Sequence, residues 1–331
     1  MATYIGIKGV EIQTIAGDPA NPIAGQVWYN TTANTLKGYG AQGAAAWSSG
    51  TATPTALRDG GLAGTATAAL TFGGAAPGPP SYPVDSTFEY DGTSWTSGGA
   101  YPISQDRASG FGTQTAALGA AGNEPPRTDT SNTYNGSSWT AGPTVNTARS
   151  GAPAFGTQTA AVMAGGWTDP TRIALAEEFN GTAWSEETAM PAVKADGGGG
   201  GSSTAGLSFL GTYTPGAGGR TTASFAYNGS SWTATNSCNT ARSGCGGGGT
   251  APTTTMTYGG EPPGYFAGTE QFDGTSWTEV ADLSTGRQGV FVPLSQATQA
   301  AQLCIMGDTG TALTTVEEWS TADATKTFTS S

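Results

Sequence analysis

Between Thr147 and Glu187 the chain alternates short apolar or small-residue runs with clusters of turn formers. TARSGAPAFGTQ opens the segment, TAAVMAGG ends on Gly165 and Gly166, and the polar WTDPTR follows. IALAEEF is the next apolar run, and TAWSEE comes after the pair Asn180-Gly181. Runs this short, bounded by Gly, Pro, Asn and Thr, predict strands rather than helices. The first strand begins at Arg149, and four antiparallel strands fill the segment.

The last two of those strands belong to a phrase that returns five times. It reads EYDGTSWT at Glu89–Thr96, TYNGSSWT at Thr133–Thr140, EFNGTAWS at Glu178–Ser185, AYNGSSWT at Ala226–Thr233 and QFDGTSWT at Gln271–Thr278. The Trp residues at 95, 139, 184, 232 and 277 are 44, 45, 48 and 45 residues apart. A period near 45 signals a repeat architecture. Asn-Gly and Asp-Gly predict a type I′ turn, with both residues at positive φ, so that the aromatic and the Trp lie on two arms of a tight hairpin. Four antiparallel strands per repeat, set around an axis, make the blade of a β-propeller.

The repeat resembles the kelch repeat of β-propellers. The matching features are a basic residue before strand one, a Gly pair after strand two, and the aromatic followed by Trp around a turn. The Gly pairs are Gly73-Gly74, Gly165-Gly166 and Gly259-Gly260, degraded at Gly119–Gly122, Gly211 and Gly307. The likeness covers roughly residues 54–329, and departs from kelch in lacking His and in a shorter third turn. The basic positions Arg58, Arg107, Arg149, Lys194, Arg242 and Arg287 count six blades. In the sixth, Trp319 stands where the others carry Phe or Tyr, and Phe328 is the candidate for the Trp role. First strands at Gly197–Gly201 and Gly246–Gly249 suit crowding at the axis.

The fold expected is therefore all-β: a propeller of six or seven four-stranded antiparallel blades at 54–331, preceded by a short hairpin module at 1–53. VWYNTTANTLKGY forms that hairpin with Asn34 near the turn, and Tyr39 and Trp47 echo the aromatic–Trp pair. Two readings of this segment stay open. It supplies strands that close the ring, or it is a separate attachment module.

Composition narrows the function. Gly is 53 of 331 residues and charged residues are 11%, which fits turn-rich β structure. Net charge is −12, so nucleic acid is not expected as a partner. No run of 18 apolar residues predicts a membrane span, and MATYIGIKGVEIQ lacks the layout of a signal peptide. His is absent, which excludes His-dependent triads, His-ligated zinc or copper and imidazole acid–base chemistry. Cys238, Cys245 and Cys304 lack metal spacing and read as reduced, with a Cys238–Cys245 bridge as the alternative. No metal, cofactor or catalytic residue is expected. DGTSW is similar to the Asp-box of sialidases, but its Asp sits one position off. Glu177-Glu178 and Glu317-Glu318 are adjacent on strands and face opposite sides. Glu124 and Glu261 are the candidate loop carboxylates for glycoside hydrolysis.

DPANPIAGQVWYNTTANTLKGYG is similar to a short module near the start of tail-fibre and other virion structural proteins of tailed bacteriophages, notably marine ones. The matching core is Gly25-Gln26-Val27-Trp28-Tyr29-Asn30, then Asn34-Thr35-Leu36-Lys37. The resemblance implies a virion component, made in the host cytoplasm and released by lysis. Its N-terminal module would join other virion proteins, with the propeller facing outward as a tail fibre or adhesin. Capsid or tail decoration, and a cellular kelch-like scaffold for protein partners, are the alternatives. A homo-oligomer is possible in a fibre, though no coiled-coil heptads support it.

Propeller topology puts the loops joining strands two and three on the same face as the links between blades. These loops are long and Pro-rich, and display Tyr82, Arg127, Trp167, Asp169, Arg172, Tyr213, Arg220, Tyr265 and Phe266. Aromatics beside Arg and Asp suit stacking on sugar rings and hydrogen bonding to hydroxyls, which points to a host-surface polysaccharide. Packing within their own loops is the alternative. The same face carries the six basic positions. They either hold an anion at a channel mouth or lock neighbouring blades by bonding carbonyls or carboxylates.

Overall fold

The computed structural model describes residues 12–20, 26–41, 45–78, 82–213, 219–262, 264–291, 296–321 and 323–328. Strands dominate it. Among the described residues one 3-10 turn, Pro252–Thr254, is helical, and no helix is long and apolar enough to cross a membrane.

The chain divides into two compact units, one of residues up to Ala46 and from Thr321 onward, the other Trp47–Ser320. The expected division after residue 53 is therefore displaced, and the C-terminal strand leaves the propeller. In the smaller unit Gln13–Ile15 pairs in parallel with Val27–Asn30, which forms a hairpin with Thr35–Ala41, and Asp323–Phe328 adds to the far edge. Asn34 turns that hairpin at φ 52°. The residues of the N-terminal motif have a structural reason. Asp18 Oδ1 accepts from the Trp28 indole at 3.2 Å and the Asn30 amide at 2.7 Å, while its Oδ2 pairs with Lys37 at 2.8 Å. Lys37, then Asn30, hold the Asp18 carboxyl below its ordinary range. Gly25, at the start of that motif, lies outside the described residues, as does the side chain of Tyr39.

The larger unit is a β-propeller. Five blades are four-stranded and antiparallel, each with one arm of the repeated phrase in its third strand and the other in its fourth. Blade 1 is Gly61–Thr65, Ala68–Phe72, Thr87–Tyr90 and Trp95–Ser97; blade 2 is Ser109–Thr113, Ala116–Asn123, Arg127–Tyr134 and Trp139–Ala141. Blade 3 is Ala154–Gly156, Ala161–Ala164, Ala176–Phe179 and Trp184–Glu187; blade 4 is Gly198–Ser202, Ala205–Phe209, Ser224–Tyr227 and Trp232–Thr235. Blade 5 is Gly246–Gly248, Thr255–Tyr258, Thr269–Phe272 and Trp277–Val280. Blade 6 combines Ala301–Ile305 and Val316–Ser320 with Ala46–Ser49 from the other end of the chain. Ring closure thus falls to Trp47, which takes the Trp place that sequence reasoning offered to Phe328. Trp47 packs 5.5 Å from Trp319, and its indole donates to Thr269 of blade 5.

Each phrase forms its hairpin, with Tyr90 opposite Trp95, Tyr134 opposite Trp139 and Phe179 opposite Trp184. The ring pairs lie 4.8–5.2 Å apart, worth roughly 0.5–1.5 kcal/mol each beyond burial. The turn differs from type I′. Only the glycine has positive φ, near 92°. The Asp or Asn instead accepts, through Oδ1, the N–H groups two and three residues on, at 2.7–3.0 Å. A side chain that closes its own turn frees that residue from the left-handed region.

The apolar core sits between blades: Phe111 and Leu118 of blade 2 pack with Met163, Phe179 and Trp184 of blade 3. Two rings of backbone bonds fix the six-fold register. In the outer ring the N–H at the end of each second strand donates to the next blade: Gly74 to Gln105, Gly122 to Arg149, Gly166 to Lys194, Gly211 to Arg242, Gly260 to Arg287 and Gly307 to Leu57. These second glycines all have positive φ, 101–136°, so this one member of the Gly pair survives in every blade while its neighbour varies.

Candidate functional site

The inner ring frames the axis. Asp59 N–H donates to Gly289, Gly289 to Gly244, Gly244 to Asp196, Asp196 to Gly151, Gly151 to Arg107 and Arg107 back to Asp59, at 2.5–2.9 Å. All six residues have φ between 53° and 61°. Above this ring opens a cavity of about 540 Å³. Its charged lining is four arginines, Arg58, Arg107, Arg172 and Arg220, and four carboxylates, Asp59, Asp196, Glu261 and Asp308; Thr212, Ser243 and Gln288 complete the polar wall. Below the ring the channel narrows to about 40 Å³ between Gly60, Ala108, Ala152, Gly197, Cys245 and Val290. That is room for water but not for a sugar ring.

Blades meet at this mouth through side chains. Arg58 pairs with Asp308 at 2.9 Å, Arg220 with Glu261 at 2.8 Å, and Arg172 donates to Thr212 at 2.7 Å. Further out, Arg127 pairs with Asp169 and donates to Ser150 at 3.0 Å. Burial at the neighbouring Asp106 raises its carboxyl above the ordinary range. Asp196, then Asp59, push the Arg107 guanidinium up, so it stays charged.

The six basic residues do not form one ring. Arg149, Lys194, Arg242 and Arg287 share a position with Leu57 and Gln105, as the outer backbone ring shows. Those four are fully buried within their own blades. Arg149, Arg242 and Arg287 pair with Glu177, Glu270 and Glu317, and Lys194 donates to the carbonyls of Ser208 and Ala223. Arg58 lies one position further along and Arg107 two, and these two reach the mouth. A mouth of four cations and four anions is also not the purely cationic ring that would favour a simple anion.

The expected aromatics divide likewise. Trp167 is not open for stacking: Arg172 covers its ring at 3.8 Å, Arg127 lies 5.7 Å away, and its indole donates to Asp196 at 3.1 Å. Phe266 packs on Arg242 at 5.0 Å. Tyr82, Tyr213 and Tyr265 remain exposed, at 60%, 45% and 45%. Glu124 is exposed on blade 2 and Glu261 is paired on blade 5, across the ring, so these two do not converge. The three cysteines are buried and free, and no metal-holding group of Cys, Asp and Glu is found among the described residues. Sequence reasoning missed Asp59, Asp196 and Asp308. A signal existed: two residues past the shared basic position stands Gly151, Gly244 or Gly289 in three blades, but Asp59, Arg107 or Asp196 in the others.

No family model matches the chain, and no curated protein matches it either. Solved structures do match. Among them, YjhT aligns with a TM-score of 0.68 over 84% of this chain and 99% of its own, at 15% identity. At that identity the likeness concerns the fold alone.

Proposed function

We propose that this chain is a non-enzymatic binding protein whose axial mouth holds a hydroxylated saccharide of a cell surface. The observation that carries the reading is the mouth itself. It is a cavity of about 540 Å³, within the size range of ligand sites, walled by guanidinium, carboxylate, hydroxyl and amide groups. Such a wall matches a ligand rich in hydroxyls, and offers little to an apolar one. No carboxyl in the lining stands apart from a guanidinium in the way a proton donor for glycoside cleavage requires. The likeness of the N-terminal motif to virion proteins of tailed bacteriophages supports placing it in such a virion, as a tail fibre or adhesin attached through the small unit.

The test is binding of the labelled full chain to a panel of bacterial cells, with and without competing surface polysaccharide. Saturable binding that the polysaccharide displaces supports the reading. Absence of binding across the panel favours a decoration role instead. Release of reducing ends from the polysaccharide would overturn the non-enzymatic part.

A further inference from the structure

Three of the six positions in the inner ring are glycine, and three are Asp59, Arg107 and Asp196, at φ 56°, 53° and 57°. Glycine adopts this left-handed region without steric cost and other residues do not. Three side chains are thus held against local preference, and they form one set: a cation flanked by two carboxylates. Arg107 Nε lies 4.0 Å from Asp59 Oδ1, and its Nη1 lies 3.9 Å from Asp196 Oδ1. Both gaps exceed hydrogen-bond length. The other three arginines of the mouth each hydrogen-bond a neighbour, whereas the Arg107 guanidinium makes no hydrogen bond among the described residues. The bare backbone of Gly151 leaves space for the Asp196 carboxylate, and that of Gly289 for the Asp59 carboxylate.

We propose that Asp59, Arg107 and Asp196 form a clamp for two separate hydroxyls of an uncharged saccharide. The proposal rests on the saccharide reading above and narrows it. A hydroxyl oxygen about 2.9 Å from a nitrogen donor and about 2.7 Å from a carboxylate oxygen bridges a gap of 4.0 Å at an angle of about 90°. Each gap beside Arg107 therefore fits one hydroxyl, which accepts from the guanidinium and donates to the carboxylate. Nε and Nη1 direct their hydrogens to different edges of the planar guanidinium, so the two gaps take two hydroxyls that stand apart on the saccharide. A uronate or another acidic sugar would bring its carboxylate between two existing ones, and like charges disfavour that arrangement. The clamp selects neutral sugars.

Calorimetric titration of the full chain compares neutral oligosaccharides with uronate oligosaccharides of the same linkage. Neutral ligands bind at least tenfold more tightly. Arg107→Gly weakens that binding at least tenfold without lowering the melting temperature, because glycine is the residue three other blades place there. Asp196→Asn, which keeps a hydrogen-bonding group and tolerates the left-handed backbone, loses discrimination against uronates. Preference for uronates, or neutral binding that survives Arg107→Gly, overturns the clamp and leaves the saccharide reading standing. Failure of both ligand classes while cells are still bound by the protein also overturns the clamp. Failure of both classes and of cell binding overturns the reading itself.

Discussion

The residue ahead of each first strand faces the third strand of its own blade, and the two change together. Arg149, Arg242 and Arg287 meet Glu177, Glu270 and Glu317. In blade 1 the same places hold Leu57 and Phe88, in one apolar cluster. In blade 2 they hold Gln105 and Asn132, both bonded to the Tyr101 hydroxyl. In blade 4 Lys194 lies 4.7 Å from the face of Phe225. Each blade thus matches the residue it buries to the one facing it, although Gln105 Oε1 and Arg242 Nε and Nη2 keep no hydrogen-bond partner. Removing one member of a buried ion pair strands the other: Arg242→Ala should cost about 3–5 kcal/mol, while Arg242→Leu with Glu270→Phe, copying blade 1, should cost far less. Urea denaturation of the three proteins measures this. Lys194 adds a pH dependence. Burial, with no carboxylate partner, pushes its ammonium down to about 7, whereas the unfolded chain keeps an ordinary lysine near ~10.4. Between those values the unfolded state binds the extra proton, so this group makes stability rise with pH from about 7 to about 10. Lys194→Met should abolish that rise, by on the order of 3 kcal/mol in the difference between variant and wild type. Parallel slopes across that range would contradict the assignment.

At the scale of elements, the sequence was legible where local chemistry decides the outcome. EYDGTSWT states its own hairpin, because the turn, its Asx closure and its aromatic pair all lie within eight residues. Closure was less legible, since Ala46–Ser49 joins Val316–Ser320 from the opposite end of the chain and nothing local marks a strand's distant partner. The sixth Trp was therefore sought at Phe328's end of the chain. Trp47→Ala should destabilise the propeller by about 3–5 kcal/mol, and the loss should appear as early hydrogen exchange in Ala301–Ile305 and Val316–Ser320. Blades are also latched by the turns between first and second strands. Gln114 donates to the Ala69 and Tyr90 carbonyls of blade 1, and Gln158 to Ala117 and Tyr134 of blade 2. Gln158→Ala removes two bonds and should cost about 1–3 kcal/mol, read as a shift in denaturant midpoint.

For the propeller as a whole, two backbone rings join the six blades and frame the cavity at the axis. The candidate site was only partly readable in the sequence. Loop residues such as Trp167 and Phe266 look available on a string of letters, but cations cover their rings once the blades are assembled. The decisive residues hide in a register break, where glycine gives way to Asp59, Arg107 and Asp196. Returning those three to glycine relieves left-handed strain of roughly 1 kcal/mol each, partly offset by a freer unfolded chain. The triple variant should melt no lower than the wild type. The measurement that bears most directly on the central claim is cell binding by Arg107→Gly beside Tyr82→Ala, each compared with the wild type. Loss of saturable binding in Arg107→Gly, with Tyr82→Ala close to wild type, is the result expected of a ligand seated at the axis. Undiminished binding by Arg107→Gly would contradict it and move the site to the outer loops.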